Sequence, residues 1–209
     1  MPGARFQALP LQRRRVPESR TPQTSWEPVA RLLEASVESD YIGEHVSQLE
    51  HMLQCAHFAH SRGADDELVL AALLHDVGHL CAGPDAPQMA GLGVVQHERI
   101  GGDFLRAHGF SERVCTLVAR HVDAKRYLSL RKAGYLERLS EASMGTLQHQ
   151  GGPMNEAEAK RFEAHPFFQD FLKVRLWDEE GKQENLATPD LASYQPMVLR
   201  HLEKARGSK

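Results

Sequence analysis

The chain has 209 residues, 41% of them hydrophobic and 25% charged, with a formal net charge of −3. That length can bury a core without staples, and that charge creates no whole-protein field to gather nucleic acid or an anionic membrane. No apolar run approaches the roughly 18 residues of a membrane span, and Cys55, Cys81 and Cys115 lack the paired spacing of a disulfide framework or a thiolate zinc site, which points to a reducing, cytoplasmic setting.

Residues 1–25 read as a disordered leader, with prolines at 2, 10 and 17, several arginines and no apolar period. Its only acid is Glu18, which raises the alternative of a mitochondrial presequence; the prolines argue against the amphipathic helix such a signal needs. One domain is expected over residues 26–206. "SWEPVARLLEAS" predicts a helix with Ser25 as N-cap and Pro28 near its first turn. "VSQLEHMLQCAHFAHSRG" predicts another, opened by a Ser47/Glu50 capping box and ended at Gly63. "DDELVLAALLHDVGH" starts with acids, turns apolar and reaches His75–Asp76 at its end. Glycines and prolines mark residues 81–93 as a loop. Helices then follow over "VVQHERIGGDFLRAHGF" and "SERVCTLVARHVDAKRYL", the second capped by Ser111. Four more are expected in "LERLSEASMGTLQHQ", "NEAEAKRFEAH", "PFFQDFLKVRLWDEEGK" and "DLASYQPMVLRHLEKA", with Leu172 and Leu176 turned inward on the third of these. Without strand alternation or an internal repeat, the fold class is all-α.

The unusual count is twelve histidines. A lone histidine on an apolar face is ordinarily a satisfied core residue. Adjacent His75 and Asp76 after a fully apolar run are harder to explain, because burying two titratable groups is costly unless something compensates them. His51, His97 and His121 also sit beside core positions, each on a different predicted helix. Imidazole and carboxylate suit a divalent cation of intermediate hardness, and helical bundles build such sites from one or two inward side chains per helix. Asp76, flanked by imidazoles, can bridge two ions through its two oxygens. Asp178 in "VRLWDEEGK" is the candidate further acid.

His51, His75–Asp76 and Asp178 resemble the H…HD…D signature of the HD-domain superfamily of metal-dependent helical proteins, and His97 and His121 match the additional histidines of its dinuclear members. That resemblance implies an HD-domain helical bundle with a dinuclear metal site in its core. "YIGEHVSQLEHMLQCAHFA", "ALLHDVGH", "QHERIGGDFL", "GFSERVCTLVARHVDAKRYL", "QGGPMNEAE" and "RLWDEEGKQ" are further similar to the mixed-valence diiron oxygenases of the 2-amino-1-hydroxyethylphosphonate dioxygenase (glycine-forming) family. The likeness runs from about Val37 to the C-terminal helix.

The resemblance implies two irons, Fe(II)/Fe(III). One would be held by His51, His75, Asp76 and Asp178, the other by Asp76, His97 and His121. It implies that Tyr41 occupies a metal position until substrate arrives, that Glu44 meets the substrate's amino group, and that His79, Lys125, Ser143, Thr146 and Arg175 surround the phosphonate. Tyr41, Glu44 and His79 are thereby the candidate catalytic residues. The residue types suit this independently: a phosphonate wants the guanidinium fork of Arg175 and the point charge of Lys125, and an ammonium wants a carboxylate such as Glu44.

The expected reaction is cleavage of the C–P bond of (R)-2-amino-1-hydroxyethylphosphonate with O2 to give glycine and phosphate. The partners are then a small zwitterionic organophosphonate and O2, with no nucleic acid and no membrane. Two alternatives stand beside it: the same chemistry on the 2-trimethylammonio analogue, giving glycine betaine, and an HD-type metal-dependent phosphohydrolase acting through activated water. A non-catalytic metal-binding domain is a third, which loss of a ligand residue would favour.

Overall fold

The computed structural model describes residues 20–41 and 43–207. In them are α1 (Pro22–Ala35), α2 (Gln48–Ser61), α3 (Asp66–Leu74), α4 (Val77–Cys81), α5 (His97–Ala107) and α6 (Glu112–Arg131). A 3-10 turn (Leu136–Arg138) leads to α7 (Glu141–His149), α8 (Glu156–Glu163), α9 (Phe168–Glu180) and α10 (Leu191–Gly207). The only β pairing among the described residues is two isolated bridges, Asp40 with Ser47 and Gln88 with Val94. The fold is all-α, as the sequence predicts. Most of the expected leader, residues 1–19, lies outside the described residues.

Two of the three predicted caps are found in place: Ser47 and Glu50 form a reciprocal capping box on α2, and Ser111 caps α6. The structure adds a capping box on α8, formed by Asn155 and Glu158. The first helix differs from expectation. It begins at Pro22, capped by the Thr21 hydroxyl, and Ser25 is a buried residue inside it. The proline at the first helical position is compatible because its missing N–H had no helical partner to lose.

α3 is the centre of the molecule. Leu68 through Leu74 are all essentially inaccessible, and the helix packs against α2, α6, α9 and α10. A helix apolar on every side can only be stable in such a position. α1 and α10 pack against each other at one end, with Trp26, Val29, Leu33, Val198 and Leu202 in the shared core. On α9 the inward residues are Phe171, Val174, Arg175, Trp177 and Asp178. The expectation for Leu176 fails: it is exposed, and Leu172 only packs partly buried against the core. The 3.6-residue period explains this, because aiming Val174 and Asp178 inward rotates Leu172 and Leu176 toward the rim.

The apolar helix stops at His75–Asp76, where the sequence places its end, and a short second helix follows at once. α3 ends at Leu74, and Asp76 occupies the N-cap position of α4 with φ −99° and ψ 6°. Its carboxylate makes no capping hydrogen bond. The break turns that carboxylate away from the helix it precedes and into the bundle interior.

Candidate metal centre

Four imidazoles from α2, the α3–α4 break, α5 and α6 converge on Asp76. His51 Nε2 lies 3.1 Å from His75 Nε2, and His97 Nε2 lies 3.2 Å from His121 Nε2. Asp76 stands between the two pairs. Its Oδ2 is 3.8 Å from His51 Nε2 and 3.4 Å from His75 Nε2, while its Oδ1 is 3.3 Å from His97 Nε2 and 3.5 Å from His121 Nε2. Asp178 Oδ1 completes the first group at 3.5 Å from His51 and 3.7 Å from His75. All six side chains are buried.

The other nitrogen of each ring fixes its tautomer. Nδ1 donates to Gly181 O from His51 (2.7 Å), to Ala72 O from His75 (2.8 Å), to Val94 O from His97 (3.3 Å) and to Val118 O from His121 (2.9 Å). In each ring's neutral form Nε2 therefore presents a lone pair. Backbone carbonyls holding Nδ1–H are the usual support of metal-binding histidines. Each histidine pair converges on a carboxylate oxygen, an arrangement that fits a cation between them, whether a proton on one ring or a metal ion. The donor set, imidazole and carboxylate, suits iron or another first-row divalent ion.

Electrostatics agree. Burial pushes His51 down to about 4 and His121 well below the usual imidazole range, keeping these rings neutral and able to ligate. Burial also works against a charge on His75, but Asp76 and Asp178 outweigh it and raise that imidazole to about 10. Both carboxyls are themselves held well below their usual range despite burial, Asp76 by His75 and Asp178 by Arg175. The carboxylate pair demands positive charge at this spot.

Two glycines permit the convergence. A Cβ on Gly78 would fall 1.8 Å from the His97 carbonyl oxygen, so only glycine lets α4 approach the start of α5. A Cβ on Gly181 would fall 2.5 Å from Cys55 Sγ, and the Gly181 carbonyl is the one that orients His51. Gln96, just before His97, adopts the left-handed conformation at φ 60°, a local cost of about 1 kcal/mol that aims the next residue inward.

Beside this centre lies a cavity of about 250 Å³ that also reaches Asp76, His97, His121 and Asp178. The remaining sequence-predicted residues, Tyr41, Glu44, His79, Lys125, Ser143, Thr146 and Arg175, all line it. The Tyr41 ring stacks on His51 with centroids 4.0 Å apart. His79 stacks on His97 at 3.9 Å, and its Nδ1 accepts from the Val94 N–H, which leaves Nε2–H as a donor. Burial, then the neighbouring His97, lowers His79 to about 3, so the ring is a neutral donor. Lys125 Nζ donates to Thr146 Oγ1 at 2.8 Å. Burial, then Arg175, lowers it to about 7. Arg175 is 4% exposed. Its Nη1 pairs with Asp178, and its Nε donates to Glu179 (2.9 Å) and to Tyr135 Oη (3.1 Å). Its Nη2 is buried without any partner. A cavity lined by a buried guanidinium with one unpartnered nitrogen, a buried lysine and a neutral imidazole donor suits an anion beside the candidate metal ligands.

Sequence reasoning missed three neighbours of the site. Lys182 reaches the cavity and donates to Glu44 Oε1 at 2.6 Å. Gln150 lines it with a buried, unpartnered side-chain oxygen. Cys55 is 3.8 Å from His51 Nε2, but its thiol donates to Trp177 O and burial keeps it protonated. "EEGKQ" gives no sign that its lysine folds back, because the helix end at Gly181 decides that.

The HD-domain family profile matches residues 49–160. The chain is 39% identical over 171 residues to 1-hydroxy-2-(trimethylamino)ethylphosphonate dioxygenase (glycine-betaine-forming) of Leisingera caerulea, covering 82% of this chain and 87% of that protein. It is 39% identical over 186 residues to hydroxymethylphosphonate dioxygenase of Gimesia maris, covering 88% and 92%. An uncharacterized protein of Acanthamoeba polyphaga mimivirus is 38% identical over 168 residues, covering 80% and 77%.

Proposed function

The chain belongs to the HD-domain family, and from that premise we propose that it is a dinuclear metal oxygenase using O2 to cleave the C–P bond of a small 1-hydroxyphosphonate. The observation that carries this reading is Arg175, whose Nη2 is buried without a partner and which lines the cavity together with Asp76, Asp178, His97 and His121. An anion is wanted there, within reach of the candidate metal ligands. The names of two relatives, both phosphonate dioxygenases, support the same chemistry.

In this reading His51, His75, Asp76 and Asp178 hold one iron, and Asp76, His97 and His121 hold the other. Bound by these residues, a mixed-valence iron pair would supply the redox chemistry with O2. The chain's own residues bind and orient. Arg175 Nη2 and the Lys125 ammonium take phosphonate oxygens, with Ser143 and Thr146 around them, and the His79 Nε2–H donates to the substrate from the far wall. Tyr41, stacked over His51, covers the metal site and gives way to the substrate. One O2 is consumed for each carboxylic acid and phosphate released, so oxygen and carbon balance without a further reductant.

The substrate proposed is (R)-2-amino-1-hydroxyethylphosphonate, giving glycine. Glu44 and the bare Gln150 oxygen are acceptors that a primary ammonium can satisfy; a trimethylammonium group has no N–H for either. A quaternary ammonium favours an aromatic wall, and Tyr41 already has His51 on its ring and the Lys182 ammonium over it at 5.7 Å. A second reading, hydroxymethylphosphonate, is favoured by one observation: Lys182 already neutralises Glu44, so no substrate cation is obligatory.

The test is to incubate iron-loaded protein with the amino substrate and follow O2, phosphate and glycine together. Equal consumption and release is expected. Turnover of only the trimethylated or the hydroxymethyl compound would change the substrate and keep the chemistry. Phosphate released from an ester without O2 uptake would replace it with hydrolysis.

A further inference from the structure

Lys182 follows the glycine whose carbonyl orients His51, and it lines the cavity. Its Nζ donates to Glu44 Oε1 (2.6 Å), Ser140 Oγ (3.2 Å) and Ser143 Oγ (3.2 Å), so all three ammonium protons are engaged. The same nitrogen lies 5.7 Å from the centre of the Tyr41 ring. Lysine and glutamate side chains are each only 14% exposed, so their attraction is little screened by salt. Apart from Asp76 and Asp178, which face the histidines, Glu44 is the one carboxylate among the described residues lining the cavity. The place best suited to a substrate ammonium therefore already holds a cation from the protein.

We propose that Lys182 is a specificity-determining residue: it is the resident counter-ion of Glu44, and a substrate bearing an ammonium group must displace it. The inference rests on the phosphonate reading above. An aminophosphonate gains the Glu44 contact but must first separate Glu44 from Lys182 and then bind beside that second positive charge. A phosphonate without an amine leaves the pair closed. Lys182 thus narrows the preference that Glu44 alone would give to amino substrates, and it ties segment 41–47 to the start of α7 until that exchange takes place.

The experiment is calorimetric binding, under anaerobic conditions, of 2-aminoethylphosphonate and ethylphosphonate to the iron-loaded protein. These probes differ only in the ammonium group and lack the hydroxyl that would react. Replacing Lys182→Met should tighten 2-aminoethylphosphonate about tenfold by removing a like charge from its subsite. Ethylphosphonate should stay within about twofold, as expected for a change outside its contacts. Lys182→Arg keeps the charge and should keep the wild-type ratio of affinities. Equal weakening of both probes in Lys182→Met, or an unchanged ratio, would overturn the assignment and make Lys182 a phosphonate donor or a structural tie. Failure of ethylphosphonate to bind wild-type protein would instead overturn the phosphonate reading itself, and this inference with it.

Discussion

His51 and His75 face each other through their Nε2 atoms at 3.1 Å although each ring has already committed its proton, on Nδ1, to a backbone carbonyl. Without metal, Asp76 and Asp178 hold a second proton on His75, whose Nε2–H then points at the His51 Nε2 lone pair; a metal ion would take that proton's place and satisfy both rings and both carboxylates. Metal removal should therefore cost stability as well as activity. With free metal near a thousandfold over its dissociation constant, binding contributes about 4 kcal/mol, equivalent to about 10 °C in Tm for a chain of this size. Thermal melts with chelator and after adding back iron test this; a Tm indifferent to chelation would remove the metal from the account.

The two oxygens of Asp76 face different histidine pairs, whereas Asp178 faces only His51 and His75. Metal content should follow that asymmetry. Asp178→Asn is expected to keep about one ion per chain and Asp76→Asn close to none, because amide oxygens are weak ligands and a bridging one is worse. Elemental analysis of the purified variants decides it. Equal losses in both would mean that the carboxylates act as one unit.

Arg175 lines the cavity, gives one nitrogen to Asp178 and keeps another buried without a partner. Arg175→Met should weaken phosphonate binding by about 2–3 kcal/mol, the size of a charge-assisted hydrogen bond lost in a buried site. That is roughly a hundredfold in Kd. Arg175→Lys should recover little, because one ammonium cannot hold Asp178, Glu179 and the anion in the directions a planar fork does. Titration of each variant with ethylphosphonate, alongside its metal content, separates anion binding from the support of Asp178.

What was legible in the sequence was the part written in residue types at helical spacing. The buried α3, the capping box of α2, and the six converging polar side chains all follow from local pattern and from the cost of burying a histidine beside leucines. What escaped was fixed by backbone events too small to leave a periodic trace. The end of the apolar helix at His75–Asp76 is readable, but not the short helix that restarts at Val77 and leaves Asp76 at its N-cap turned inward. The end of α9 at Gly181 sends Lys182 back over Glu44, although nothing in its neighbours is unusual. Leu176 was misjudged for a related reason: near a helix end carrying Arg175 and Asp178, the polar chemistry claims the inner face and the leucine is left outside.

Lys125 gives a pH dependence with a definite sign. Burial, then Arg175, lowers its folded value to about 7, against about 10.4 in an unfolded chain. Between those values the unfolded chain binds a proton that the folded chain lacks, so this residue's destabilising effect is fully present below about 7 and fades as pH rises toward 10. A phosphonate dianion favours the charged ammonium. Binding at about pH 8.5 should therefore take up as much as one proton, which is seen when binding enthalpies are compared across buffers of different ionisation heat. Lys125→Met should abolish the uptake and weaken binding. Uptake that persists in that variant would assign the proton to another group.

Gly78 supplies the last prediction because it joins backbone packing to the metal centre. A methyl group there would overlap the His97 carbonyl and press on the Gly101 backbone nitrogen at 2.9 Å, and both of these atoms belong to α5. Neither is the far end of a flexible side chain, so α5 itself must move. Gly78→Ala should cost about 3 kcal/mol, at the upper end for overpacking, or about 6–12 °C in Tm. The displacement carries His97 away from His121 and Asp76, while His51, His75 and Asp178 lie on other elements. Metal content should accordingly fall from about two toward one as the melting temperature drops. A variant that melts like wild type and binds both ions would show that α4 and α5 have slack their close approach does not suggest.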